Sequence, residues 1–142
     1  MLPHGAQVIA SIDGVRVYLR ERTCRISRLD LELHSTVLPR DLALVRELQY
    51  RFVDGNVIGD ALVWVYNCPR PTALILDYWC VDEQLYARLL RYVLDDLRLH
   101  YGVKTVYMHV IRSDEQEKKL LGKTLRDLGF TMLDEEYAVL VL

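Results

Sequence analysis

The sequence predicts one domain of the α/β (α+β) class, spanning residues 1-142, with a mixed β-sheet, helices on both faces and an N-terminal β-hairpin. Three observations carry this. The 142 residues suit one compact domain around one core. Runs rich in β-branched and aromatic residues alternate with runs whose apolar positions recur every three or four residues. No repeat, low-complexity tract or Pro/Gly/Ser-rich linker divides the chain.

The elements follow in order. "QVIASIDGVRVYLRER" holds Asp13-Gly14 between two β-rich stretches, a pair suited to a tight hairpin turn, so residues 1-24 read as a hairpin extension. Arg16 and Arg20 then share one face of it. "CRISRLDLELHS" alternates at Ile26, Leu29, Leu31 and Leu33, with one slip near Ser27, and predicts a third strand. Pro39 opens "PRDLALVRELQYRF", where Leu42, Val45, Leu48 and Phe52 fall on one helical face; proline suits a first helical position. Asp54-Gly55-Asn56 ends that predicted helix. "GDALVWVYN" and "TALILDYWCV" read as an antiparallel pair joined by Cys68-Pro69-Arg70-Pro71, which cannot continue a ladder.

From Gln84 to about His100 a helix is predicted, with Leu85, Leu89, Val93 and Leu97 on a stripe widened by Leu90 and Leu94. Tyr101-Gly102 ends it. "KTVYMHVIR" is a strand, and Ser113 or Asp114 caps a helix over "DEQEKKLLGKTLRDLG" that Gly129 stops. "FTMLDEEYAVLVL" supplies a last strand, interrupted at Asp134-Glu135-Glu136. The predicted order is β-β-β-α-β-β-α-β-α-β.

Composition narrows the function classes. A net charge of −2 gives no electrostatic case for nucleic-acid binding. No apolar run reaches the roughly 18 residues of a membrane span, and the N-terminus lacks a basic-then-apolar signal pattern. Cys24, Cys68 and Cys80 are odd in number and lack metal-ligand spacing, so they read as buried free thiols of a cytoplasmic protein. No metal site is expected. His34 and His109 read as hydrogen-bonded structural histidines, and Trp64, Tyr66, Tyr78 and Trp79 as core aromatics.

The join between the strand ending at Val81 and the following helix is the most informative stretch. Many α/β domains hold a phosphate there, on a glycine-bearing turn whose N–H groups face the anion. Here it reads Val81-Asp82-Glu83-Gln84-Leu85, with no glycine, no Lys or Arg, and two carboxylates. Such a join repels phosphate.

The element order, with "LRDLGF" closing the second-last helix, resembles the GNAT acyltransferase fold over about residues 25 to 142. The resemblance implies an acetyl-CoA cofactor. Its diphosphate would sit on a loop of the type Arg/Gln-x-x-Gly-x-Gly/Ala after the strand matched by "TALILDYWCV", and a tyrosine before the terminal Leu-Gly-Phe would protonate the leaving thiolate. Here the glycines are missing, the helix begins several residues early, and Leu125 stands at the tyrosine's position. If acyl-CoA binds, Val81, Gln84, Leu85 and Tyr86 form the cofactor region. Asp77, inside an apolar strand that borders the acceptor pocket in that fold, is then the candidate general base for an amine.

"LQYRFVDGNVIGDALVW", "ALILDY", "LLRYVLDDLR" and "VYMHVIRSDEQEKKLLGKTLRDLGF" are similar to ornithine decarboxylase antizyme, a GNAT-like family without acyl-CoA chemistry. That resemblance implies a charged surface that binds a partner protein. Asp95 matches an acidic contact position and Arg112 a basic one, whereas Arg91 and Glu83 reverse the charge of two others. Arg88, Arg91, Asp95 and Arg98 share a helix face and would form an arginine-rich rim. The sequence thus leads to a non-catalytic protein-binding regulator or inhibitor without a cofactor, of phage or host origin. The alternatives are an acetyl-CoA-dependent N-acyltransferase with an atypical cofactor loop, and a homodimer formed through the apolar terminal "YAVLVL".

Overall fold

Asp13 and Gly14 adopt positive φ values of 50° and 83°, and turn strand β1 (Gln7–Ile12) back into β2 (Val15–Arg25). These coordinates are a computed structural model that describes residues 5–67 and 69–142, so the expectation for Cys68 lies outside them. The hairpin is continuous with the rest of the sheet, because β2 pairs with β3 (Leu44–Asp54) from Arg16↔Val53 to Arg25↔Leu44. Gly55 turns β3 into β4 (Asn56–Asn67), which pairs antiparallel with β5 (Pro71–Cys80).

A helix, α2 (Glu83–Tyr101), then crosses to β6 (Thr105–His109), the parallel partner of β5. Helix α3 (Glu115–Leu128) leads into the short β7 (Thr131–Met132) and β8 (Tyr137–Val141). The sheet order is β1-β2-β3-β4-β5-β6-β8-β7. Helices lie on both faces, as the sequence predicts. Gly102 and Gly129, at φ 64° and 96°, end α2 and α3 in the left-handed conformation that glycine tolerates best.

Two predicted elements exchange places. Residues predicted as a third strand instead form the end of β2 and a short helix, α1 (Arg28–Leu33). Ser27 accepts the Asp30 N–H and caps that helix, and the alternating Leu29 and Leu33 point to solvent. Residues predicted as a helix after Pro39 form β3. Leu48 and Phe52 are four apart, which satisfies a helical and a two-residue period equally; Tyr50 between them is buried with both and decides for the strand.

The main core lies between the sheet and the two long helices. Leu48, Tyr50, Phe52, Val63, Ile75 and Met108 meet Leu89, Leu90, Val93 and Leu97 of α2 and Leu121 and Leu125 of α3. A smaller core under α1 holds Ile26, Val37, Leu38, Trp64, Tyr66, Leu74 and Tyr137 on the opposite face. Cys24 and Cys80 are free but only half-buried, which corrects the expectation of buried thiols. Strand β8 lies between β6 and β7, and β7 covers it only at Ala138 and Val139. Among the described residues no helix is long and apolar enough to cross a membrane.

Candidate functional site

The β5–β6 ladder runs only from Thr72↔Thr105 to Ile75↔Met108, while β5 continues to Cys80. Beyond Met108 the strands part. Arg112, just after β6, folds back into this split, with its side chain 7% exposed. One guanidinium nitrogen donates to the carbonyls of His109 (3.0 Å) and Ile111 (2.8 Å), the other to that of Tyr78 (3.4 Å). Asp77 lies 3.7 Å from the guanidinium and Glu117 lies 3.2 Å from Nε. The planar fork of arginine suits this task, since it reaches both walls of the split at once.

On the helix side, the N-terminus of each long helix faces this region. Asp82 accepts the Gln84 and Leu85 N–H groups at 2.9 and 3.3 Å, and Asp114 accepts those of Gln116 and Glu117 at 2.8 and 3.2 Å. The amides an anion would use therefore already hold a carboxylate. Between them lies a cavity of about 360 Å³ lined by Trp79, Cys80, Glu83, Tyr86, Asp114 and Glu117, among others. No Lys or Arg lines it. Burial raises the Cys80 thiol above its ordinary range, so it is a poor nucleophile at neutral pH.

The opposite face gathers residues that the sequence leaves far apart. Tyr137 Oη and His34 Nδ1 share a hydrogen bond of 2.6 Å. The rings of His34 and His109 meet edge to face with centroids 5.4 Å apart, and His109 lies 5.4 Å from the Tyr137 ring. Trp64 completes the group, edge-on to His34 at 6.3 Å, and its indole N–H donates to Glu47. Burial pushes Glu47 up, but hydrogen bonds from Trp64 and Arg22 outweigh it and hold the carboxyl below its usual range. Burial raises Tyr137 to about 12, so its phenol keeps its proton. Chemically, the cluster offers two neutral imidazoles as proton acceptors beside a protonated phenol.

Both imidazoles sit below their ordinary range. For His34 the cause is burial, then His109; for His109 it is burial, then Arg112, with Glu136 and Asp77 opposing. As pH falls, the unfolded chain takes up these protons first. Stability from the neutral imidazoles is full above about pH 6.5 and is lost as pH drops through the depressed folded values. The urea midpoint is expected to fall between about pH 7.5 and about pH 5. The fall should shrink in the His34→Gln/His109→Gln variant, and an equal fall in both proteins would refute the assignment.

The structure disperses the residues singled out from sequence. Asp77 is exposed, not buried as its apolar strand predicts. The β4–β5 register shifts between Leu62↔Asp77 and Val63↔Ile75, which turns Asp77 away from the face of Ile75. Val81 and Gln84 are exposed, Leu85 is half-buried and Tyr86 is buried. Arg88, Arg91 and Asp95 line one shallow groove with Ile12 and Tyr92, and Arg88 pairs with Asp13. Arg98 is exposed farther along α2. Arg112 stands apart from that groove, inside the split. Sequence reasoning missed His34, His109 and Tyr137 as a group; the one available signal was alternation, which sets His109 opposite the buried Met108.

No family model and no curated protein matches the chain. Solved structures do. An N-acetyltransferase from Staphylococcus aureus Mu50 superposes with a TM-score of 0.53 at 12% identity, covering 86% of this chain and 97% of that one. The ribosomal-protein-S18-alanine N-acetyltransferase of Escherichia coli gives 0.46 at 14% identity, over 84% of this chain and 90% of its own. The Campylobacter jejuni N-acetyltransferase PseH gives 0.46 at 14%, over 81% and 74%. The likeness to antizyme draws no support from these comparisons. The eight-stranded mixed sheet, split between its parallel strands and flanked by helices on both faces, is the fold of the GNAT N-acetyltransferases.

Proposed function

We propose that this chain is a binding protein on an acetyltransferase-like fold, a regulator or inhibitor of another protein, and that it does not transfer an acyl group from acetyl-CoA. The join of β5 to α2 carries this reading. Its amides are taken by Asp82, Glu83 stands beside them, and no glycine or cation is present to receive a diphosphate. The residues here do not fit coenzyme A. Arg112 occupies the strand split with a buried side chain, which adds support. The α2 groove of Arg88, Arg91 and Asp95, with Arg98 beyond it, is the proposed partner surface.

The second reading is an N-acyltransferase with an atypical cofactor loop. What favours it is the fold together with the His34–His109–Tyr137 cluster, where a neutral imidazole could accept a proton from an ammonium substrate. His109 would then replace Asp77 as the base.

Calorimetry of acetyl-CoA into protein at about 100 µM separates the two. No heat is expected. Stoichiometric micromolar binding would overturn the proposal in favour of the acyltransferase.

A further inference from the structure

We propose that the sheet face opposite α2, where β2 carries Arg16, Tyr18 and Arg20, docks an acidic, extended segment of a partner protein. This rests on the preceding reading of the chain as a binding protein. It deepens that reading by naming the chemistry of a partner, at a surface apart from the α2 groove. Val15 and Val17 are buried in the main core, so alternation turns Arg16, Tyr18 and Arg20 to the other face. The smaller core under α1 reaches Cys24, Val45 and Trp64 on that face. Beyond it Arg16 is exposed, and Tyr18 and Arg20 are half-buried. The exposed Val8 of the uncharged β1 stands beside Tyr18.

The charge of this face emerges only in the fold. Arg16 and Arg20 lie between acidic residues in sequence, yet those acids are held elsewhere. Asp13 pairs with Arg88 of α2. Glu21, opposite the buried Leu48, turns to the α2 side and lies 3.8 Å from Arg46. The carboxylates that β3 and β4 place on the same face are already engaged. Glu47 is held by Arg22 at 2.6 Å and Trp64 at 3.1 Å, and Asp60 by Arg51 at 2.9 Å and Gln49 at 3.3 Å. Arg16 and Arg20 have no ion-pair partner among the described residues. A surplus of positive charge, on a chain of net charge −2, is complementary to carboxylates. Four residues along a strand span about 13 Å, so the two arginines match acidic side chains at i and i+4 of an extended segment, with an apolar residue at i+2 over Tyr18. Single-stranded nucleic acid fits less well. Its platforms stack several bases and neutralise many phosphates, and this face offers one tyrosine and two arginines without partners.

The test is fluorescence anisotropy on the full chain with a labelled Thr-Glu-Thr-Leu-Thr-Glu-Thr peptide, its counterpart with lysine for glutamate, and a short oligothymidylate. Saturable, salt-sensitive binding of the acidic peptide alone is expected, about tenfold weaker in Arg16→Gln/Arg20→Gln. Lys119→Gln/Lys123→Gln removes the same charge from exposed positions on α3 and should leave the affinity unchanged. Because Arg16 and Arg20 hold no partner, the thermal midpoint of their double variant should not move, and its affinity loss is then not a folding defect. No binding of the acidic peptide, or an equal loss in both double variants, overturns the inference and leaves the proposed function standing. Tighter binding of the oligothymidylate also overturns it and makes nucleic acid the occupant. The acetyl-CoA titration involves neither double variant, so failure of the proposed function is read separately.

Discussion

Arg112→Ala is expected to lower the free energy of unfolding by about 3 kcal/mol, the largest loss from any single side chain at the site. The side chain is almost wholly buried and donates to the carbonyls of Tyr78, His109 and Ile111, on the two walls where β5 and β6 part. Truncation removes a charged donor from all three. Asp77 and Glu117 also lose their counter-charge, but both reach solvent and contribute less. Urea unfolding provides the measurement. Arg112→Lys should recover less than half of the loss, because an ammonium is a point donor and cannot fork across both walls. A loss below about 1 kcal/mol would show that water satisfies these carbonyls. Neither variant should gain acetyl-CoA binding, since Asp82 and Glu83 remain.

The second large effect lies in the core. Tyr50 donates to Asp96 at 2.6 Å, tying β3 to α2, and the other Asp96 oxygen is 2.6 Å from His100 Nδ1. Asp96 is 5% exposed and Tyr50 fully buried. Burial and the neighbouring carboxylate raise the Tyr50 phenol far above its usual range, so it stays a donor. Tyr50→Phe strands a buried carboxylate oxygen, and a loss of about 2–3 kcal/mol follows. Asp96→Leu leaves the phenol without an acceptor and should cost about 2 kcal/mol. The double variant Tyr50→Phe/Asp96→Leu should cost less than the sum by at least about 1 kcal/mol, since it strands nothing. Additive losses would mean that the bond contributes little.

Some of this was legible in the sequence because it is local. Asp13-Gly14, the leucine stripe of α2, the Asp114 cap and the Gly129 stop each declare themselves within a few residues, and all four stand. The make-up of the join after β5 is local for the same reason, since five consecutive residues define it, and Asp82 there caps α2. The exchange between α1 and β3 was not, because apolar residues four apart serve either period until neighbouring strands choose between them. Nor was the exposure of Asp77, which follows from a register shift against β4. The His34–Tyr137 bond spans 103 positions, and no spacing rule announces it. Arg112 looked like a surface cation because its burial depends on where the parallel ladder stops.

The parallel join also orders the assembly of the molecule. Strands β1 to β5 are consecutive in both chain and sheet apart from the α1 excursion, so most of their contacts close over short loops. The β5–β6 ladder closes a loop from Thr72 to Thr105 that contains all of α2, and holds it with four rungs. Such closure carries a larger entropic cost and comes later than hairpin formation. A chain leaving the ribosome N-terminus first completes the antiparallel meander before β6 exists to join it. The residues from β6 onward then join it, and Arg112 can seat only once both walls of its split are in place.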